Sequence, residues 1–406
     1  MSFSARIKKH LDDVRASYWF IPTVLVLFTI ILTFVSLFVD SHPKMSAFRP
    51  DWMNDLISVE GARAVVSVIA QSMIGVAGVM FSITMLAVSF ASGQYGPRLI
   101  GNFMRDRGNQ WTLGILISTF TFALLVLPAI QNAQGPDTAF VPHISIYISL
   151  ILALVSVFVM IFHVHHVPET ISVSNIIAGL GQRFGRDIET LLDQDLNPDA
   201  TDTASQSGTS LDVFLRTSGY IHNIAQNQLS EIACENEWTI EILEMPGEFM
   251  YPHRAILRIW GTSDSLDEDM DTRLREAVAL GRSKTENQNL IFVAEQLVEI
   301  VARAMSPGVN DPFTATSCLH WFEAGLSLVA QHDNGLTIFS AQNIVAQPIS
   351  FEHLLARSLG DCRPYVADDP LTRQTMLDVL DRLADHATPA NRTTLKSLRD
   401  KVTSAA

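Results

Sequence analysis

The chain has 406 residues, of which 48% are hydrophobic and only 17% charged, a balance that favours a membrane protein with more than one folded domain. Its formal charge of −14 is uneven, because residues 1–168 carry ten Lys or Arg against eight Asp or Glu, whereas residues 169–406 carry eighteen against thirty-four. The acidic second part excludes nucleic acid as a partner, since phosphate binding needs clustered Lys and Arg, and three widely spaced cysteines indicate neither a zinc site nor a disulfide framework.

Four long apolar runs predict four membrane-spanning α-helices, since about 20 apolar residues cross a bilayer. The runs are Trp19–Val39, Val65–Phe90, Thr112–Ile130 and Ile144–Val164. The first run exceeds the ~7–15 apolar residues of a signal peptide, so it is interpreted as a membrane helix. At about 1.5 Å per residue, the second run is longer than a ~30 Å hydrocarbon core. It is therefore expected to tilt or to protrude.

Lys and Arg residues in the short loops predict which side of the membrane each end of the chain occupies. Four precede the first helix, three lie between the second and third helices, and none lies between the third and fourth. This bias places the N-terminus inside, although Lys44 and Arg49 in the first outer loop weaken the contrast. Four crossings return the chain to the inside, so both termini are expected to be cytoplasmic.

The second apolar run carries small and polar residues on one helical face. Their spacings of four, four, three, four and seven place them together on one side of a helix. The residues are Ser67, Gln71, Gly75, Gly78, Ser82 and Ser89. One interpretation is close helix packing, which small residues permit in lipid. The other is a hydrated pore in an oligomer, where serine hydroxyls and the Gln71 amide replace part of an ion's hydration shell.

A basic, amphipathic segment follows that helix and predicts a short interfacial helix, or elbow, on the cytoplasmic side. A proline suits the first turn of such a helix, and arginines suit anionic headgroups. The marked residues are Tyr95, Pro97, Arg98, Arg105 and Arg107. The elbow could act as a gate lever or as a tether, and the tether is favoured because amphipathic surface helices usually only anchor.

Three histidines, His163, His165 and His166, stand at the inner end of the fourth run. A metal site or proton relay would need further ligands, and only Glu169 stands at a matching spacing. The favoured interpretation is therefore that these are interfacial histidines, and no metal site is predicted.

The remainder of the chain predicts a mixed domain. Residues 238–260 alternate and turn as a small β unit does. Leu290–Val301 and Leu371–Asp385 show the 3.6-residue period of packed helices, and Asp311 followed by a proline predicts another helix start. The polar stretch 194–210 predicts a loop.

The fold class that follows is an α-helical membrane domain with four transmembrane helices, then a cytoplasmic α+β domain with a small β module and packed helices. The membrane domain is assigned to residues 1–168 and the acidic cytoplasmic domain to residues 169–406. Within the second domain, the β module covers about residues 211–262 and the helical part about residues 270–406.

Glu295 and Glu299, four residues apart, could be interpreted as paired catalytic carboxylates. Because Arg303 stands next on the same face, an ordinary solvated charge ladder is favoured. The sequence contains no nucleotide-binding loop, nucleophile elbow or HExxH motif. The chain is therefore expected not to be an enzyme, with no catalytic residue and no cofactor.

Two signatures carry a resemblance to a known family. The first comprises Gly75–Thr84, Ala91–Leu99 and Asn102–Gln110, and the second is Glu295–Ala315. Both resemble the bacterial predicted membrane proteins catalogued as domain of unknown function 2254. The chain departs from the family at Gln288-Asn289, where the family often has Gln-Asp. The resemblance implies insertion in a bacterial inner (plasma) membrane, and implies nothing about mechanism.

Two functions are compatible with these patterns. The leading hypothesis is a homo-oligomeric channel or pore-like transporter, lined by the second helix, with the acidic domain as a vestibule that favours cations over other small solutes. The rival is a membrane-anchored scaffold or sensor whose cytoplasmic domain binds a protein partner of unknown identity. It is supported by the lack of charged residues between Val65 and Phe90.

Overall fold

A computed structural model describes residues 17–42, 58–96, 106–130, 140–195, 209–262 and 265–404. The chain divides into two compact units, residues 13–172 and residues 173–406. We call the first the membrane unit and the second the C-terminal unit.

The membrane unit contains four long helices: α1 (Phe20–Ser41), α2 (Val59–Tyr95), α3 (Arg107–Val126) and α4 (His143–Ile171). Each is long and apolar enough to cross a bilayer, which confirms the prediction of four spans. Helix α2 begins six residues before the predicted apolar run, because Ser58 caps it by accepting from the Gly61 N–H at 3.1 Å. Arg63, within its first turns, donates to the Ile130 carbonyl oxygen at 2.8 Å.

Helix α3 is the most buried of the four, and it packs against α1, α2 and α4. Its Gly114 lies so close to α1 that an added Cβ would be 2.6 Å from Leu25 Cδ1 and 3.2 Å from Pro22 Cα. A glycine at this contact lets the two helix backbones approach, which is how membrane helices gain packing energy without a hydrophobic driving force.

A buried aspartate joins α1 to the start of α4. Asp40 is 3% exposed, and its carboxylate accepts hydrogen bonds from the backbone N–H groups of Ile144 and Ser145, both at 3.0 Å. The Ser145 hydroxyl donates to the same carboxylate at 2.8 Å. These N–H groups belong to the first turn of α4 and have no intrahelical partner. Asp40, a residue of α1, therefore caps the N-terminus of α4.

The C-terminal unit mixes helices and short strands in chain order. Its first elements are α5 (Val173–Asp195), β1 (Ser210–Phe214), β2 (Gly219–Ile224), α6 (Gln226–Glu235), β3 (Thr239–Ile242), β4 (Phe249–Met250), β5 (Ala255–Trp260), α7 (Glu268–Glu276) and β6 (Val278–Gly281). There follow α8 (Leu290–Ala304), α9 (Pro312–Val329), β7 (Ile344–Ala346), α10 (Phe351–Leu355), α11 (Asp361–Val366), α12 (Pro370–His386) and α13 (Pro389–Thr403). A π-helical turn, Ala356–Gly360, joins α10 to α11.

The strands form two small sheets. One has the order β1-β5-β3-β7, in which only the β3-β7 pair is parallel, and the other is antiparallel with the order β4-β2-β6. The alternation predicted for residues 238–260 corresponds to β3, β4 and β5. Strands β6 and β7 have four and three residues, too few to show a period of two, and both lie within the part predicted to be helical.

The helices of the C-terminal unit pack around α9, which contacts α5, α8 and α12. Phe184 of α5 and Phe322 of α9 meet edge to face with ring centroids 5.8 Å apart. The start of α9 confirms the sequence signal, because Asp311 accepts from the Thr314 N–H at 3.2 Å and Pro312 occupies the first turn. Most of the predicted polar loop, residues 196–208, lies outside the described residues.

Candidate functional site

The small polar face of α2 points away from the rest of the membrane unit. Helix α2 packs on α3 and α4 through its opposite side, where Ala62, Val66, Ala77 and Met80 are buried. The predicted pore-lining residues other than the half-buried Ser67 are exposed, namely Gln71, Gly75, Gly78, Ser82 and Ser89. The described residues of the membrane unit therefore leave this face uncovered.

Hydrogen bonds within α2 satisfy part of this face. The Gln71 side-chain amide donates to Ser67 Oγ at 3.1 Å, and the Ser82 hydroxyl donates to the Gly78 carbonyl oxygen at 2.9 Å. An added Cβ at Gly75 or at Gly78 would meet no atom within 4 Å. The face is therefore a shallow, small-residue groove with polar groups along it, open to whatever surrounds the unit.

The predicted elbow falls largely outside the described residues, which exclude Pro97, Arg98 and Arg105. Tyr95 is the last residue of α2, and Gly96 follows with a φ of 122° that ends the helix. Arg107 is the first residue of α3 and is exposed.

A buried polar cluster at the start of α3 was missed by the sequence reasoning. Asp106 accepts from the Asn109 N–H at 3.0 Å, and its carboxylate lies 2.9 Å from His166 Nε2 of α4. Thr84 of α2 lies 3.4 Å from His163 Nε2. The cluster thus joins α2, α3 and α4 through polar contacts. Asp106 stands six residues before the third apolar run, and an aspartate near a helix start is the capping signal that could have predicted the centre of this cluster.

The interpretation of the three histidines as one interfacial group is wrong for His163, which is only 3% exposed. Its ring lies among the helices because Thr84 offers it a polar neighbour there. By contrast, the His165 side chain is 81% exposed and lies 3.3 Å from Glu169. Within the described ranges, no group of three His, Cys, Asp or Glu side chains could hold a metal ion.

The solvated charge ladder predicted for Glu295 is also wrong. The Glu295 side chain is 7% exposed, and it accepts from Lys284 Nζ at 2.7 and 3.0 Å and from the Arg357 guanidinium. Glu299 does lie near Arg303, at 3.6 Å. Helical spacing reveals only neighbours on the same helix, whereas Lys284 and Arg357 come from other parts of the chain.

Comparisons with known proteins agree with the architecture. Residues 15–382 match the family model described as "Predicted membrane protein (DUF2254)". Uncharacterized proteins of Mycobacterium bovis and Mycobacterium tuberculosis are 27% identical to this chain over 95% of its length and 75% of theirs. No solved structure matches. With four apolar helices and a family match over nearly its whole length, the chain belongs to the DUF2254 family of predicted membrane proteins.

Proposed function

We propose that this membrane protein is a homo-oligomeric channel or pore-like transporter in which copies of α2 surround the path. The observation that supports this proposal is the outward polar face of α2. Lipid tails offer no partner for the exposed Gln71 amide, whereas water or a second copy of the protein does. The exposed glycines Gly75 and Gly78 suit close approach between copies.

Cations are the favoured permeant species. Residues 169–406 carry eighteen Lys or Arg against thirty-four Asp or Glu, and such an excess of negative charge raises the local concentration of cations. Small neutral solutes would gain nothing from this field. The protein is proposed to work without a chemical reaction, a cofactor or a metal ion.

The channel proposal predicts that water reaches Ser82. Purified wild-type protein is expected to give unitary currents in planar bilayers, and Gln71→Leu or Ser82→Leu to reduce them, because an apolar side chain removes polar groups from the path. In a variant lacking the native cysteines, Ser82→Cys should react with a charged methanethiosulfonate and lose current.

Ile83→Cys is the matched control, because Ile83 is 46% exposed and lies about 100° around the helix from Ser82. Its thiol should face lipid and leave the current unchanged after the same treatment. A well-formed wild-type oligomer that stays silent under voltage, tension and pH changes would exclude the channel.

A membrane-anchored scaffold or sensor is the second candidate. It is favoured by the absence of any charged residue between Val65 and Phe90, since transporters usually carry ionisable groups within the span. In that case the polar face of α2 only packs copies together. Oxidation by copper phenanthroline and oxygen would then join Ser82→Cys of two copies in a disulfide, whereas the charged reagent would not react with this thiol. The C-terminal unit would then bind the protein partner.

Both candidates place the two termini in the cytoplasm of a bacterial inner membrane, and Cys234 provides a test of that topology. Cys234 is exposed, whereas Cys318 and Cys362 are buried, and burial raises the pKa of both buried thiols. A thiol of raised pKa forms little reactive thiolate. We expect a membrane-impermeant maleimide to label one thiol per chain in inverted vesicles and none in intact spheroplasts, with Cys234→Ser abolishing the label. Labelling of intact spheroplasts would reverse the topology.

A further inference from the structure

The C-terminal unit contains a cavity of about 320 Å³ between its strands and its helices. One wall is the turn that follows β3, residues 243–248, and another is the start of α8. Residues 347–350, His353 and Arg357 close the third side. A volume of this size lies at the lower end of the range for small-molecule sites.

Two cationic side chains line one end of the cavity. Lys284 and Arg357 both bind the buried Glu295 carboxylate, and Arg357 also donates to Asp361 at 2.8 Å. Lysine has three N–H donors and arginine has five. The bonds to Glu295 and Asp361 therefore leave donors of both side chains for a further acceptor. Because Glu295 fixes both cations, neither has to be ordered when a ligand binds.

The first turn of α8 brings the positive end of a helix dipole to the wall of the cavity that holds Lys284 and Arg357, whose charges Glu295 and Asp361 balance. Asn289 caps the helix by accepting from the Phe292 N–H at 3.0 Å, and Leu290 and Ile291 of the first turn line the cavity. Helix α8 has fifteen residues, and the N–H groups of a first turn favour an anion. This helix end reinforces the pair formed by Lys284 and Arg357.

The remaining walls combine apolar side chains with polar ones. The apolar residues are Ile242, Met245, Pro246, Ile291, Ile338 and Ile349, and the polar ones are Gln288, Gln347, Ser350 and His353. Two acidic residues also line the cavity, but Glu244 is paired with Arg254 at 2.6 Å, and Arg254 lies 3.8 Å from Glu248. Arg254 therefore offsets one of these two charges, and the other, on Glu248, whose side chain is 54% exposed, is screened by water.

We propose that this cavity binds a small amphipathic anion, with its carboxylate or phosphate group at Lys284 and Arg357 and its apolar body against the isoleucines. The charged end follows from the two cations and the helix start, and the apolar body from the walls. This inference concerns the C-terminal unit alone and does not depend on whether the protein conducts ions.

The test is isothermal titration calorimetry of the full chain in lipid nanodiscs, with empty nanodiscs as the blank. Hexanoate and hexyl phosphate are the probes, and neutral hexanamide is their control. We expect saturable binding of at least one anion and at least tenfold weaker binding of hexanamide, because the neutral amide cannot form charge-assisted hydrogen bonds with Lys284 and Arg357. Comparing the two anions identifies the head group.

Two variants connect the binding to the cavity. Lys284→Ala should weaken anion binding about tenfold, whereas Lys396→Ala, an exposed lysine on α13, should leave it unchanged. Ile291→Trp should abolish binding, because the larger side chain fills the cavity while Lys284 and Arg357 stay in place. It tests whether the anion binds in this cavity even if Lys284→Ala does not fold. The proposal would be overturned if neither anion binds, if hexanamide binds as tightly as the anions, or if a folded Ile291→Trp variant keeps wild-type affinity.

Discussion

Replacing Glu295 with alanine is expected to lower the free energy of unfolding of the C-terminal unit by about 2–3 kcal/mol. The variant leaves Lys284 and Arg357 beside each other without the carboxylate that both bind. Breaking a fully buried ion pair costs about 3–5 kcal/mol, and the smaller value applies here because Lys284 and Arg357 are 24% and 38% exposed.

Unfolding of this unit can be followed through its buried cysteines. In a Cys234→Ser background, Cys318 and Cys362 should react with a fluorogenic maleimide only as the unit opens on heating. Glu295→Ala is expected to react at a lower temperature than the parent. An unchanged transition would contradict the ion network around Glu295.

Two controls separate the loss of a buried partner from the loss of a charge. Asp381→Ala removes a carboxylate from an exposed pair with Arg399, with side chains 54% and 43% exposed, and should leave the transition unchanged. The triple variant Lys284→Met, Glu295→Leu and Arg357→Met should recover most of the loss, because apolar residues of similar volume need no counter-ion. A triple variant no better than Glu295→Ala would assign the effect to packing.

Replacing Asp40 with alanine is expected to destabilise the membrane unit by about 2–3 kcal/mol. The carboxylate accepts two backbone N–H groups and one hydroxyl at the start of α4, and no alanine atom can replace them. The freed N–H groups lie where Asp40 itself was 3% exposed, so water compensates poorly.

The measurement uses Ser118→Cys in a variant lacking the native cysteines. Ser118 is 5% exposed, so a thiol at this position reports opening of the membrane unit. Its hydroxyl has no hydrogen-bond partner in the described part of the chain, so the substitution should change stability little. Asp40→Asn keeps one acceptor oxygen and should fall between wild type and Asp40→Ala. Ser41→Ala, at the exposed neighbouring position, should match wild type. Equal transitions for Asp40→Ala and Ser41→Ala would contradict the cap.

Apolar length and period allowed much of the architecture to be predicted from the sequence. The four membrane helices were predicted because lipid leaves few alternatives to a long apolar helix. The capping role of Asp40 could not be predicted, since its partners Ile144 and Ser145 follow about a hundred residues later. Contacts of that kind have no local signature.

The candidate sites also differ in how far the sequence predicts them. The polar face of α2 was predicted from helical spacing. The structure adds that this face is exposed on the surface of the membrane unit. The cavity beside Lys284 could not be predicted, because its cations meet only when residues 284, 295 and 357 are folded together. Strands β6 and β7 were missed because three or four residues carry too little pattern.

The π-helical turn between α10 and α11 makes the exact length of this segment important. A π turn holds about one residue more than an α turn, so all residues after it are rotated by about 100° relative to a regular helix. With the turn, Arg357 reaches Glu295 while Cys362 and Val366 remain in the core. Deleting one residue here would restore a regular helix. The chain would then lose either the ion pair of Arg357 with Glu295 or the burial of Cys362 and Val366. Related chains should therefore show few insertions or deletions between Phe351 and Val366.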